Sequence, residues 1–387
     1  AAADLDGDGD IEIVFTSQNG HLYIINSSGE IILNLNTEQY LFASPIISNF
    51  DEDEMLEIAV PSFDPSGKLL IINHDGSFVD GYPLDMDDSF IRAGSAYDFN
   101  YNGIDDLVLA SSGENSIYIV YDDGSYENIF TASNKFMVSP AVLEMNGSPI
   151  ILVGNDNGIF YAINPEGDIL YSVDTGSKIR SSAGFMNIDG SIGIVFGNYN
   201  GDLYVIDVAG NIVQGWPKNL GGSIHTISPV FTDVDGDGLD EIVISSINGN
   251  LDLIYSDGSS HNYFPLNPYT GVTGTASIDD IDDDGDIEIL LGTNNSFSVI
   301  DLKGSSTDKS DWHTYKGNYQ RRGTYKYDTE DLVSGDLNGD GIVNILDVVS
   351  VVSVVTTGGF SISADINSDG IVNILDIVSI INIILDS

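Results

Sequence analysis

The chain has 387 residues, of which 60 are Asp or Glu and 12 are Lys or Arg, for a formal net charge of −48. So acidic a surface repels nucleic acid and anionic lipid. The absence of Cys excludes disulfides, thiolate metal sites and thiol catalysis. No apolar run approaches the roughly 18 residues of a membrane-spanning helix, so membrane insertion is not expected.

From the N-terminus one unit recurs: a short strand, an acidic loop, an apolar strand and a Gly-anchored strand. The loops begin at Asp4, Asn49, Asp98, Glu144, Asn187, Asp233 and Asp280, in steps of 45, 49, 46, 43, 46 and 47 residues. Second strands are predicted over 11–15, 56–60, 106–110, 150–153, 193–196, 241–244 and 287–291. Third strands are predicted over 20–25, 67–72, 116–120, 158–163, 201–206, 249–254 and 296–300. Four strands in each unit of about 40 to 50 residues is the size of a propeller blade, whereas β-solenoid repeats are shorter. Seven units predict an all-β, seven-bladed β-propeller over residues 1–327. The three residues before Asp4 are too few for a full first strand, and 311–327 is too long for a plain linker. Gly323-Thr324-Tyr325-Lys326-Tyr327 falls where an eighth first strand would begin, so it is expected to pair with blade one and lock the ring. The chain opens inside a repeat and without Met, which reads as a piece of a longer precursor.

In the first loop Asp4, Asp6, Asp8 and Glu12 occupy positions 1, 3, 5 and 9, Gly9 sits at position 6, and Asp10 at position 7 offers a backbone carbonyl. Carboxylates at this spacing around a Gly turn form a cage for a hard cation, suited to Ca²⁺ and too oxygen-rich for zinc. The pattern returns at Asp233, Asp235, Asp237, Gly238, Leu239 and Glu241, and at Asp280, Asp282, Asp284, Gly285, Asp286 and Glu288. Asp98, Asn100, Asn102, Gly103 and Asp106 make a less charged copy. Asn49, Asp51, Asp53 and Glu57 keep the ligands but place Glu54 where Gly is expected. The fourth and fifth loops, Glu144-Met145-Asn146-Gly147 and Asn187-Ile188-Asp189-Gly190, are shorter and lack the carboxylate series, so no calcium is expected there. On these loops, residues 1–326 resemble the FG-GAP or integrin-α-type propellers. That resemblance implies loops joining the first and second strands of a blade, and ions that hold structure rather than perform chemistry. The third strands, as in Asn200-Gly201-Asp202-Leu203-Tyr204-Val205-Ile206-Asp207, are also similar to quinoprotein-type propeller repeats.

Two nearly identical twelve-residue segments lie in the last 60 residues, 328–387. The first supplies Asp336, Asn338, Asp340, Ile342, Asn344 and Asp347 at positions 1, 3, 5, 7, 9 and 12; the second supplies Asp365, Asn367, Asp369, Ile371, Asn373 and Asp376. Gly at position 6 completes an EF-hand-type calcium loop in each. A loop followed by a helix, twice over, resembles a type I dockerin. That resemblance implies a small α-helical module that folds on calcium and binds a cohesin-like protein. Positions 10 and 11 are Ile-Leu in both copies, and no Lys or Arg follows Lys326. At helical spacing Ile345, Val348, Val349 and Val352 form one face, mirrored by Ile374, Ile377, Val378 and Ile381, and these faces are expected to bury against each other. Leu346, Val351, Val354, Leu375, Ile380 and Ile383 lie off that face and are expected to meet a partner, a second copy or the propeller itself.

No catalytic motif is present: none of His21, His74, His225, His261 and His313 belongs to HExxH, and GxSxG and Walker loops are absent. Trp216 and Trp312 have the chemistry to stack on sugars and the bulk to pack between blades; the second role is expected. The sequence therefore reads as a secreted or bacterial cell-surface binding protein and not as an enzyme. Its propeller would recognise a glycan or protein, and its dockerin-like module would attach it to a scaffold. The alternatives are the non-catalytic C-terminal region of a secreted hydrolase, protease or polysaccharide lyase, and a structural subunit of an extracellular assembly.

Overall fold

A computed structural model describes residues 1–53, 55–64, 66–188, 191–267, 271–272, 274–305, 310–327, 343–357, 364, 366 and 372–386. Seven sheets, each antiparallel among its own consecutive strands, follow one another in chain order as the blades of a propeller. Blade one comprises Ala2–Ala3, Glu12–Thr16, His21–Ile25 and Ile31–Asn36. Blades two to seven begin with the inner strands Ile46–Ser48, Ser95–Tyr97, Ala141–Met145, Gly184–Ile188, Val230–Thr232 and Ser277–Asp279. The acidic loops join the first and second strands of their blades, as expected. In blade four a tight turn replaces the loop: Met145 pairs with Ser148, and Asn146 and Gly147 both adopt positive φ.

A blade packed between two others is covered on both faces, so its second strand reads as a continuous apolar run rather than an alternation. Glu57–Pro61, Asp106–Ala110 and Glu241–Ser245 are buried at every residue. Separate cores join blades one and two (Leu22, Ile58, Leu70), two and three (Ile46, Leu69, Leu107), and three and four (Val108, Val142, Ile151), while one larger core runs from blade four to blade seven. Among the described residues no core joins blade seven to blade one. There Ile13 and Phe15 of one blade and Phe297 and Val299 of the other remain exposed.

The segment 310–327 corrects the expected ring lock. Trp312 and His313 accept the N–H groups of Phe231 and Ile278, the inner strands of blades six and seven (3.0 Å each). Tyr319, Gln320, Arg322 and Gly323 then accept the N–H groups of Ala2, Ile47, Ala96 and Val142 in blades one to four (2.8–2.9 Å). Thr324–Tyr327 finally pairs in parallel with Ala141–Met145 of blade four, not with blade one. Blade one already has an inner strand, because Ala2 and Ala3 pair with Ile13 and Glu12. The inner edge of each blade carries unpaired N–H groups that need acceptors, and the segment supplies carbonyls to six blades in turn. Trp312 anchors it, buried edge-to-face on Phe185 at 4.8 Å. Trp216 is also buried, its Nε1 donating to the Ser256 carbonyl at 3.1 Å. Both tryptophans are packing residues.

The C-terminal module contains helices α1 (Ile345–Thr357) and α2 (Ile374–Asp386). Its core corrects the predicted faces. Val351 and Ile380, expected to meet a partner, are fully buried with Val348 and Ala364, and Val355, Ile377 and Ile384 pack against them. Ile345, Val349, Val352, Ile374, Val378 and Ile381, expected in the core, are exposed together with Leu375 and Ile383. The side chains of Leu346 and Val354 lie outside the described residues. The capping geometry explains the rotation. Asp347 and Asp376 are both fully buried, and each accepts the backbone N–H three residues earlier, from Asn344 and Asn373, at 2.8 Å. An acid in the first turn bonding back to the N-cap backbone is a capping box. Turning it inward carries positions one and four residues further on into the core.

Trp312→Ala should cost about 3–5 kcal/mol, because it empties the anchor of the inner segment; urea denaturation followed by tyrosine fluorescence measures this directly.

Candidate metal centres

Five loops share one internal frame. The acid at position 9 folds back and accepts the N–H of position 2: Glu12 from Leu5 (3.0 Å), Glu57 from Phe50 (2.6 Å), Asp106 from Phe99 (2.8 Å), Glu241 from Val234 (2.7 Å) and Glu288 from Ile281 (2.9 Å). In the four loops with Gly at position 6, that N–H donates to the acid at position 1: Gly9 to Asp4, Gly103 to Asp98, Gly238 to Asp233 and Gly285 to Asp280 (2.8–3.1 Å). All four glycines adopt φ between 86° and 93°, a conformation that a Cβ makes unfavourable. Residue 54, at the corresponding place in the second loop, lies outside the described residues.

This frame draws carboxylates together. Ligand oxygens of Asp4, Asp6 and Asp8 lie within 4.8 Å of one another, as do those of Asp51, Asp53 and Glu57, of Asp233, Asp235 and Glu241, and of Asp280, Asp282 and Glu288. Glu57, Glu241 and Glu288 are buried, and Glu57 Oε1, Asp280 Oδ1 and Glu288 Oε1 are buried oxygens without a hydrogen-bond partner. Burial, reinforced by Asp51 and Asp53, pushes Glu57 up to about 7, and burial with Asp235, Asp233 and Asp237 pushes Glu241 up to about 8. Clustered oxygens with unanswered negative charge suit a hard divalent cation.

Other predicted ligands have different company. Asp284 and Asp286 are paired with Lys303, which also reaches Asp301 at 2.8 Å. In the third loop the amides of Asn100 and Asn102 donate to Asp122 at 2.9 and 3.0 Å, so an internal hydrogen-bond network meets that carboxylate. Sequence reasoning missed Lys303 and Asp122 because both follow the third strand of their blade, distant in sequence from the loop. Asp10 is exposed, its N–H donating to Asp8 Oδ1 at 2.9 Å, and Asp237 accepts the Leu239 N–H at 2.8 Å. In the C-terminal module Asp336, Asn338, Asp340, Ile342, Asp365, Asn367, Asp369 and Ile371 lie outside the described residues. Asn344, Asp347, Asn373 and Asp376 are placed at the helix starts.

Residues 334–385 match the family described as Dockerin type I domain. No curated protein matches the chain. Among solved structures the chain is similar to BBS1N, crystallised in complex with ARL6DN and soaked with mercury, at 14% identity and TM-score 0.56, covering 80% of this chain and 93% of that one. It is also similar to the V. cholerae biofilm matrix protein Bap1, at 12% identity and TM-score 0.60, covering 88% of this chain and 81% of that one. At these identities the likeness is one of fold.

Glu57 and Glu241 ionise near pH 4.5 in the unfolded chain and near 7 and 8 in the folded one. These two carboxyls therefore hold more protons in the folded chain across that window, and their contribution to metal-free stability falls as pH rises through it. Thermal melts in EDTA should give a higher Tm at pH 5.5 than at pH 8.

Proposed function

We propose that this chain is a non-catalytic, calcium-stabilised recognition protein of the extracellular space, attached to a cohesin-bearing scaffold through its C-terminal module. The observation that carries the reading is the type I dockerin domain at 334–385, a family that binds calcium and cohesins. The exposed apolar stripe of α1 and α2, from Ile345, Val349 and Val352 to Ile374, Val378 and Ile381, is consistent with a protein partner for this module. Among the described residues no helix is long and apolar enough to cross a membrane.

In the propeller, the loops that begin at Asp4, Asn49, Asp233 and Asp280 fit Ca²⁺: their ligands are oxygens only, and the second and last contain buried oxygens left without partners. The chemistry an ion supplies there is structural. It neutralises the carboxylates that fasten each loop to its blade, as in FG-GAP-type propellers. The propeller is then a rigid platform for recognising a glycan or protein, with the dockerin domain as its attachment point.

Two measurements test the proposal. Millimolar Ca²⁺ should raise the Tm above its value in EDTA by more at pH 8 than at pH 5.5, since protons and Ca²⁺ compete for the same oxygens; a melt insensitive to EDTA contradicts the calcium sites. The full chain should capture a cohesin-bearing protein from the source organism's envelope in calcium, and lose it both in EDTA and with the double substitution Asp347→Ala, Asp376→Ala. Capture that survives both treatments contradicts a dockerin-type attachment.

A further inference from the structure

We propose that the cavity on the propeller axis is a binding site for the oxyanion group of an acidic sugar, clasped by Arg92, Arg180 and Arg321.

The distribution of charge carries this. The chain has four arginines, Arg92, Arg180, Arg321 and Arg322, against 60 acids. Three of the four line a single cavity of about 260 Å³, and among the described residues no Asp or Glu lines it. Its walls come from the connectors that enter the inner strands of blades two to seven, together with Tyr315 and Arg321 of the inner segment. Each inner strand thus begins at the cavity and, where its blade carries an acidic loop, ends in that loop. Three of the four arginines thus sit at the cavity end of the inner strands, away from the acidic loops, and Asp156, paired with Arg180, is the acid held next to them.

Each guanidinium is held differently. Arg180 is fixed by Nε and Nη2 donating to the buried Asp156 at 2.7 and 2.6 Å, and it lies over the Tyr199 ring at 5.4 Å. Arg321 donates from Nη1 to Ser44 Oγ at 3.0 Å and lies 5.9 Å from the centre of the Tyr315 ring, with no carboxylate partner among the described residues. Burial lowers its pKa, the expected sign for a cation short of counter-charge. Arg92 has neither hydrogen bond nor ion pair among the described residues. Burial, then Arg180 and Arg92, hold His225 below its ordinary value, so the region is electropositive. All three arginines are half-buried, Arg92 and Arg321 have no carboxylate among the described residues to answer their charge, and planar guanidinium forks match carboxylate and sulfate geometry. The remaining polar wall is hydroxyl, including Ser139, whose Oγ lies 2.9 Å from the Tyr315 Oη, and Ser182, Ser228 and Thr275. Hydroxyls beside an oxyanion clasp suit a polyhydroxylated ligand, and the volume, near the low end of the range for small-molecule sites, limits it to about one sugar residue.

This inference rests on the propeller being the recognition half of the protein. The test is calorimetric titration of the calcium-loaded full chain with glucuronate, inorganic sulfate and glucose, repeated with Arg92→Gln. Because Arg92 makes no bond that holds the fold, the variant should keep the wild-type Tm. Saturable binding of glucuronate, with glucose silent and affinity reduced about tenfold or more in Arg92→Gln, supports the site. Glucuronate binding tighter than sulfate identifies a sugar-borne oxyanion, and sulfate binding as tightly identifies a free one and overturns the sugar assignment. No binding of either anion, equal binding of glucose, or an affinity unchanged in the variant overturns the site. Retention of the chain on an immobilised acidic polysaccharide separates the two ideas. Retention equal in wild type and Arg92→Gln removes the site and leaves glycan recognition by the propeller standing, whereas no retention removes both the site and acidic glycans as targets and leaves recognition of a protein.

Discussion

A carboxylate buried at the start of the second strand is the interaction on which this architecture turns. Glu12, Glu57, Asp106, Glu241 and Glu288 each reach back from their strand to a backbone N–H near the start of the preceding loop. That bond closes the loop into a fixed ring and holds the other carboxylates at its mouth. The same bond holds negative charge out of water, and burial, reinforced by the neighbouring aspartates of each loop, raises Glu57 and Glu241 far above the ordinary carboxylate range. Loop geometry and the demand for a counter-charge therefore have one origin. Where carboxylates are fewer, in the loop at Asp98, the backbone N–H of Asp122 and the Asn100 amide donate to the buried Asp106 instead; in the loop at Asp280, Lys303 takes up part of the charge.

The inner segment 310–327 carries the second constraint. Seven sheets arranged around an axis leave seven inner edges with N–H groups facing one another, and a chain that visits six of them satisfies those donors. The segment also brings Lys316 into the interior, where it donates to Ser95 Oγ at 2.9 Å, and Arg321 to the cavity wall. The cations gathered on the axis press on one another: burial, then Arg321, hold Lys316 well below its ordinary value. The same placement gives the axial end of the ring a chemistry unlike the rest of its surface.

Much of this was legible in the residues. The repeat spacing located the strands, because a buried strand with a turn at each end has a fixed length and a strong apolar signature. The acids at positions 1, 3, 5 and 9 with Gly at 6 located the loops, because only that order lets one turn gather its own oxygens. The packing roles of Trp216 and Trp312 followed from their bulk. In the helices the sequence was ambiguous. With Val, Ile or Leu on every side of α1 and α2, periodicity could not choose a face, and of the chosen one only Val348 and Ile377 pack in the core. The buried capping box at Asp347 and Asp376 set the rotation, and only packing reveals that those acids point inward.

The sequence by itself determined the seven units, the loop chemistry and the duplicated C-terminal loops, since each is written in short neighbouring segments that recur along the chain. The tertiary structure alone decided the path of residues 310–327, the exposed faces between blades seven and one, and the meeting of Arg92, Arg180 and Arg321 at one cavity. Those depend on contacts between residues as many as 317 positions apart, as between Ala2 and Tyr319, and no local pattern of charge or hydropathy records which distant edges will face each other once the ring is formed.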